Sequence, residues 1–447
     1  MPEPVLRVGL IQGREVLEIE LHGPFHLGSD GDPRTGRWRA QRGPAGVTLT
    51  RHGASEPTAT GAVLRLRPVE GATFLLRGMT VGVGFHWQHE EDLAFAGELS
   101  LEAREVGLDA VNAVPLEDYL RSVISSEMSA TCPPALLEAH AVISRSWLLA
   151  QLEARGEDRP APPGASVEGQ HTRIVRWYDR EDHTFFDVCA DDHCQRYQGV
   201  TRAFTPEASA AVEATRGLVL RSRGRTCDAR FSKSCGGMTE LFSSAWGDTD
   251  PPYLQAFPDL PAGEAPGFAL PLTEEENASA FIAGAPPAFC CEADRALLTR
   301  LLPALDHDTR DFYRWEVVIG QEELQDLLRR KLGLELGPVR ALIPLERGPS
   351  GRLTRLRIEG TAGSAEIGKE LEIRRALSAT HLYSSAFVVH PEGSEGGVPA
   401  AFRLRGAGWG HGVGLCQIGA AVMAERGYDF RAILAHYYRG AELGRGY

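Results

Sequence analysis

At 447 residues, 43% apolar and 24% charged, the chain is long enough for two or three domains and ordinary for a globular protein. Its formal charge is −13 with no Lys/Arg-rich block, which argues against a nucleic-acid or anionic-membrane partner, because neutralising phosphates needs clustered basic surface; an uncharged polymer such as a glycan stays open. No run approaches the roughly 18 apolar residues that span a bilayer, and the opening MPEPVLRVGLIQGREVLEIELHG lacks the basic and continuous apolar regions of a signal peptide.

That opening reads as two short strands, Val5–Ile11 and Val16–Leu21, and β-patterned runs continue at Val47–Thr50, Val63–Leu66 and Thr73–Leu76. Residues 1–95 are therefore expected to form a small, mostly antiparallel β module. Strands Leu99–Ala103 and Leu108–Ala110 lead into the next region. There the period changes: Pro115, followed by Glu117 and Asp118, opens a helix to about Met128. Pro133-Pro134 starts a second helix, Ala135–Glu153. A Pro/Gly-rich loop (157–170) precedes β-patterned segments to about 257. Residues 258–335 read as an insertion with helices at Glu292–Leu305 and Gln321–Leu332. Strands return at Leu353–Glu359 and Phe387–His390, and helices Cys416–Glu425 and Phe430–Tyr438, the latter capped by Asp429, close the chain. The expected fold class is α+β: a mainly antiparallel β core with packed helices (96–257 and 336–447), the N-terminal module and the helical insertion.

Four segments carry chemistry-bearing residues. In PLEDYLRSVISSEM (115–128), Leu116, Leu120, Val123, Ile124 and Glu127 share one helix face, with Arg121, Ser122 and Ser125 on the other. A carboxyl on an apolar stripe is partly removed from water and holds its proton more tightly, as protonating a leaving-group oxygen requires. The plain alternative is a helix-terminal Glu paired with an Arg. In HTFFDVCADDHCQRYQG (183–199), His183, Cys189, His193 and Cys194 are donors that zinc prefers, although adjacent His193 and Cys194 seldom reach one metal. A Cys189–Cys194 disulfide and buried free thiols are the competing readings. The eight cysteines, Cys132, Cys189, Cys194, Cys227, Cys235, Cys290, Cys291 and Cys416, do not by their even number imply a disulfide framework.

In FSKSCGGMTELFSSAWGDTDPPYL (231–254), Gly236-Gly237 permits a sharp turn and close approach of a ligand, and Trp246 and Tyr253 offer flat faces to sugar rings; a β-turn and core aromatics are the plain alternative. In GAGWGHGVGLCQIGA (406–420), five glycines surround His411, which could point into a cleft, and Gln417 opens a helix. The absence of a Lys-Ser/Thr pair after these glycines argues against a phosphate-binding loop.

Together these segments, with PPALLEAHAVISRSWLLA, AVEATRGLVL and GYDFRAILAHYYRGAEL, resemble the sporulation stage II protein D / amidase-enhancer family, in family order and over about 105–257 and 340–440. The resemblance implies a lytic transglycosylase that cleaves peptidoglycan between N-acetylmuramic acid and N-acetylglucosamine to leave 1,6-anhydro ends. Glu127, in the Glu-Met motif, matches the family's catalytic residue. The family's metal site maps onto His183, Cys189 and Cys194, with His193 as an alternative ligand, so zinc is the implied cofactor. His411, Gln417, Gly236, Gly237, Tyr253 and Trp246 would shape the glycan groove. The rival reading is a non-catalytic wall-binding protein that stimulates a partner N-acetylmuramoyl-L-alanine amidase; a zinc hydrolase with an open metal site is a weaker third. Two positions depart from the family pattern: His140 stands where Gln is usual and Cys416 where Ser/Thr is usual. The substrate implies an extracytoplasmic location although no signal peptide is visible.

Overall fold

The computed structural model describes every residue except 1, 29–31, 84–87, 156–164, 169–170, 179–182, 192, 203–204, 292–294 and 303–310. Most of the expected 157–170 loop and both ends of the expected 292–305 helix lie outside the described residues; the part of that helix that is described is Arg295–Leu301. The class is α+β. The chain divides into two compact units, one of residues 1–155, 180–219 and 445–447, the other of residues 156–179 and 220–444.

The first unit is built on an eleven-stranded sheet. Strand Val16–Leu27 illustrates why it forms: Leu17, Ile19, Leu21 and Phe25 are buried while Glu18 and His22 face out, the two-residue period of a strand with one face on a core. The first strand, Val5–Arg14, runs antiparallel to Leu108–Pro115 and parallel to Val188–Cys189. The boundary expected at residue 95 is thus corrected. Residues 1–95 are not a separate module, because strand Leu108–Pro115 is sewn between the first strand and Glu98–Ala103 in one sheet. Local periodicity shows where strands lie and is silent on partners a hundred residues away.

Three helices complete this unit. Leu116–Glu127 and Pro134–Glu153 fall where the sequence placed them. The second is buried on nearly all sides, as expected of a helix inside a core. The third, Pro206–Ala214, falls in a stretch read as β-patterned. Its start signal was present, since Thr205 accepts the amide of Ala208 at 3.1 Å and Pro206 follows, but EASAAVEA is too rich in small residues to mark an apolar stripe.

The second unit contains a five-stranded sheet in the order Ala165–Glu168, His171–Val175, Ser364–Gly368, Leu353–Gly360, Val339–Arg347, and a three-stranded sheet of Arg314–Gly320, Val398–Ala407 and Phe387–Glu395. Residues 258–335 are not a separate insertion. Strand Arg314–Gly320 pairs with Val398–Ala407, and Leu324, Leu327 and Leu328 of helix Gln321–Leu332 enter the core that holds Leu353, Leu356, Ile358 and Ile367. The leucines of that helix have their cover in the sheets on either side of it in sequence. The last helices are Gln417–Glu425 and Phe430–Tyr437, the second capped by Asp429, which accepts the amide of Ala432 at 2.8 Å. No described helix is long and apolar enough to cross a membrane.

Candidate functional site

In the first unit the chemistry gathers around helix Leu116–Glu127 and the segment 183–198. The helix is buried on more sides than its pattern predicts. Leu116, Leu120, Val123 and Ile124 are in the core, but Ser122 and Ser125, expected on the solvent side, are buried too. Segment 195–198 lies against Ser122 and Tyr119: the amide of Gln198 donates to Ser122 Oγ at 3.1 Å, and Tyr119 Oη donates to Gln195 Oε1 at 3.3 Å, while Ser125 Oγ donates back to the Arg121 carbonyl at 2.8 Å. Tyr197 stacks on Tyr119 at 5.0 Å and donates to Asn112 Oδ1 at 2.7 Å.

Glu127 is the last residue of this helix and is half-buried rather than dry. Its Oε1 accepts the backbone amide of Arg196 at 3.1 Å. Burial first, then negative charge on Cys194, Cys189 and Glu127, pushes the Tyr119 phenol well above its ordinary pKa and keeps it a hydrogen-bond donor.

The same segment brings His183, Cys189, His193 and Cys194 together, their donor atoms all within 4.8 Å of one another. His183 Nε2 lies 3.3 Å from Cys194 Sγ, and His193 Nδ1 lies 3.5 Å from Cys194 Sγ and 3.8 Å from Cys189 Sγ. With Zn–S about 2.3 Å and Zn–N about 2.0–2.1 Å, a tetrahedral ion separates sulfur from nitrogen by ~3.6 Å. The donor set therefore fits zinc. Hydrogen bonds from Cys194, and then from His183 and His193, pull the Cys189 thiol down to about 2, the thiolate form a metal needs. His193 is corrected here from an alternative ligand to a fourth donor beside the other three; a turn at 193–194 brings both neighbouring donors to the cluster, with His193 on its exposed side. With four protein donors, the open position that a zinc hydrolase requires is filled. Gly9 makes the packing beneath possible, since a Cβ there would lie 2.5 Å from the Phe186 ring.

A buried ion pair that sequence reasoning missed ties the start of the helix down. Arg145 donates to Glu117 through Nε at 3.1 Å and Nη2 at 2.6 Å, both residues being buried, and Glu117 also accepts the amide of Gly217 and the hydroxyl of Tyr447. His140, the departure from the family pattern, is buried with Nδ1 3.2 Å from Ser144 Oγ.

In the second unit, four of the residues expected to line a groove are corrected to the interior. Gly236 and Gly237 are buried at φ of 78° and 105°, and a Cβ on Gly236 would lie 2.6 Å from the Gly408 amide nitrogen, so the pair admits the chain's own backbone rather than a ligand. Tyr253 is core, its hydroxyl accepting the amide of Asp228 at 2.9 Å, and Gln417 is buried in the first turn of its helix. His411 keeps part of its ring accessible, but Nδ1 accepts the amide of Val413 at 3.0 Å and the backbone of Phe231 hydrogen-bonds the ring. Burial, then the guanidiniums of Arg230, Arg352 and Arg374, hold it well below the usual histidine range, hence neutral. Trp246 is half-buried, stacked with Phe242 at 4.8 Å and capped by the Arg230 guanidinium at 4.4 Å.

Gly408, Gly410 and Gly412 close around Arg352, a fully buried residue the sequence did not flag. It donates to the carbonyls of Gly410 and Cys235 and to Ser350 Oγ, which in turn donates to the buried Glu240. A Cβ on Gly412 would lie 2.5 Å from the guanidinium carbon.

Comparison with known proteins bears on both units. Residues 104–221 match the stage II sporulation protein family, SpoIID. This stretch is SpoIID-like. Residues 240–414 match a domain of unknown function. Among curated proteins, stage II sporulation protein D of Bacillus amyloliquefaciens is 24% identical over 75% of this chain and 75% of its own length, and that of Bacillus subtilis is 23% identical over 78% and 80%. The amidase enhancer of Bacillus subtilis is 25% identical over 52% of this chain and 32% of its own length. The SpoIID match encloses Glu127, the Glu117–Arg145 pair and the Cys/His cluster.

Proposed function

We propose that the chain is a peptidoglycan lytic transglycosylase with Glu127 as its catalytic acid and base. The observation that carries this reading is the placement of Glu127 at the end of a rigid, buried helix, half-exposed, with one oxygen held by the Arg196 amide inside the SpoIID-matching region. In its acid form Glu127 donates its proton to the oxygen linking N-acetylmuramic acid to N-acetylglucosamine, and the bond from muramic acid C1 to that oxygen breaks. The carboxylate then takes the proton of the C6 hydroxyl as that oxygen bonds C1, closing a 1,6-anhydro ring and restoring the acid. An intramolecular nucleophile has a high effective concentration, so one carboxyl can serve where hydrolysis uses two.

Zinc bound by His183, Cys189, His193 and Cys194 has a structural part in this proposal. It ties the segment that delivers the Arg196 amide to Glu127 and the Gln198 amide to Ser122. Trp246 and His411 are the remaining candidates for sugar contact in the second unit. The wall substrate places the protein outside the cytoplasm.

Incubating purified protein with denuded glycan strands and analysing the products by mass spectrometry tests the proposal. Anhydro-ended fragments should appear without a partner, and Glu127→Gln should lower their release about 10²–10⁴-fold while leaving the unfolding midpoint in place. Undiminished release by that variant would remove Glu127 from the chemistry. The similarity to an amidase enhancer supports a second reading, in which the protein binds wall and stimulates an amidase. No fragments alone, together with sedimentation on wall and faster amidase turnover, would favour it.

A further inference from the structure

A second cluster of soft donors lies in the second unit, and the function above does not use it. Cys235, Asp259, Cys290 and Cys416 are all buried, with one donor atom from each within 4.8 Å of the others. Cys235 follows strand Phe231–Ser232, and Cys416 ends strand Leu415–Cys416, which runs parallel to it. Cys290 sits in the turn Phe289–Cys291, and the Phe289 amide donates to the Asp259 carbonyl at 2.9 Å, so backbone bonding brings the last two together.

We propose that these four side chains form a second metal site, a tetrahedral Cys3Asp centre for zinc. Its geometry is that of a single ion. Cys235 Sγ lies 3.7 Å from Cys290 Sγ and 3.3 Å from Asp259 Oδ2. Two thiolates on one ion at about 2.3 Å each stand ~3.8 Å apart, and a thiolate and a carboxylate oxygen on it ~3.5 Å apart. Three thiolates select zinc over magnesium or calcium, which take oxygen ligands.

The surroundings are those of ligating sulfur. Cys416 Sγ accepts the amides of Cys235 at 3.2 Å and Gly419 at 3.4 Å, at the N-terminus of helix Gln417–Glu425, and Cys235 Sγ accepts the amide of Gly237 at 3.4 Å. Such N–H donors are the outer contacts that a ligating sulfur receives. Asp259 turns its other oxygen, Oδ1, to His436 Nε2 at 3.0 Å, the outer contact that orients a ligating carboxylate. The hydroxyl of Tyr437, fully buried and without a hydrogen-bond partner among the described residues, meets the same spot: a Cβ on Gly419 would strike it, would lie 2.6 Å from Asp259 Oδ2 and would lie 3.3 Å from Cys416 Sγ.

Buried cysteines are ordinarily just small apolar side chains. Three of them around a carboxylate with no exposed surface are different, because a dry carboxylate needs a counter-charge and, among the described residues, His436 is its one close ion-pair partner, with Arg439 acting on it from farther off. A dication supplies it. Binding would deprotonate the three thiols, releasing their protons to solvent, and would fasten four separate chain segments, as structural zinc does.

Metal analysis of the full-length protein, purified without chelator from zinc-supplemented culture, tests the site independently of the one at His183. About two zinc ions per chain are expected in the native protein and about one in Cys189→Ser/Cys194→Ser. The cobalt-exchanged form of that variant should keep a thiolate-to-cobalt absorption band, and Asp259→Asn introduced into it should weaken zinc retention at least tenfold. A single zinc that survives Cys189→Ser/Cys194→Ser would support this site and count against the other. A native chain whose only zinc disappears with that variant would overturn it, as would a Cys235–Cys290 disulfide found by peptide mapping.

Discussion

Arg145 is fully buried, and its guanidinium is spent on Glu117 and on the carbonyls of Ala141 and Leu218. Desolvating both ions costs much of what their attraction returns, but removing one leaves the other buried and uncompensated. Arg145→Met should therefore destabilise the protein by about 3–5 kcal/mol in urea unfolding, and Glu117→Leu/Arg145→Met should recover most of that loss. A loss below about 1 kcal/mol for the single variant would mean that water reaches Glu117. Legibility differs from residue to residue. Glu127 was readable from helix spacing and from the motif that resembles the family's, though not its Arg196 partner 69 positions on, and the donors at 183–194 were readable because they lie close together in sequence. Cys235 was quoted only as part of a glycine motif, since Asp259, Cys290 and Cys416 lie 24, 55 and 181 positions from it and no local pattern links them.

At the scale of elements, segment 195–198 and helix Leu116–Glu127 behave as one piece. Successive residues bond the helix and its neighbours: Gln195 to Tyr119 and the Ser144 carbonyl, Arg196 to Glu127, Tyr197 to Asn112, Gln198 to Ser122. Cys194 stands immediately before this run, so zinc at the Cys/His cluster anchors one end of it. Stripping the metal or making Cys189→Ser should lose at least tenfold of the hydrogen-exchange protection at the amides of Arg196 and Gln198, and anhydro-fragment release should fall with it. Unchanged protection at both amides would show that the segment holds without its anchor. The helix itself was legible to within a residue at each end. Its solvent face was not, because the segment that covers Ser122 follows 76 residues later.

At the scale of the whole molecule, strand and helix positions were read more accurately than domain limits. The boundaries at 95, 258 and 335 followed changes in local pattern, whereas sheets join Val5–Arg14 to Leu108–Pro115 and Arg314–Gly320 to Val398–Ala407. A property of the entire fold, its acid stability, follows from His381. Burial, then Arg374, Lys331 and Arg375, push this ring from 6.5 down to about 4. The unfolded ring protonates as pH falls through 6.5 while the folded ring waits until about 4, so the stability tied to its neutral form is complete above 6.5 and drains away between the two. The urea midpoint should fall more steeply over that window in the native chain than in His381→Gln, and equal slopes would discharge His381 from this role. The loop at 406–414 carries a last consequence. A glycine-rich stretch invites the picture of a supple flap, yet here it is a collar threaded on the Arg352 pin, and the missing side chains are what let it be pulled tight. Such a collar cannot hinge without drawing its pin, so its glycines measure how firmly the stretch is fastened, not how freely it swings.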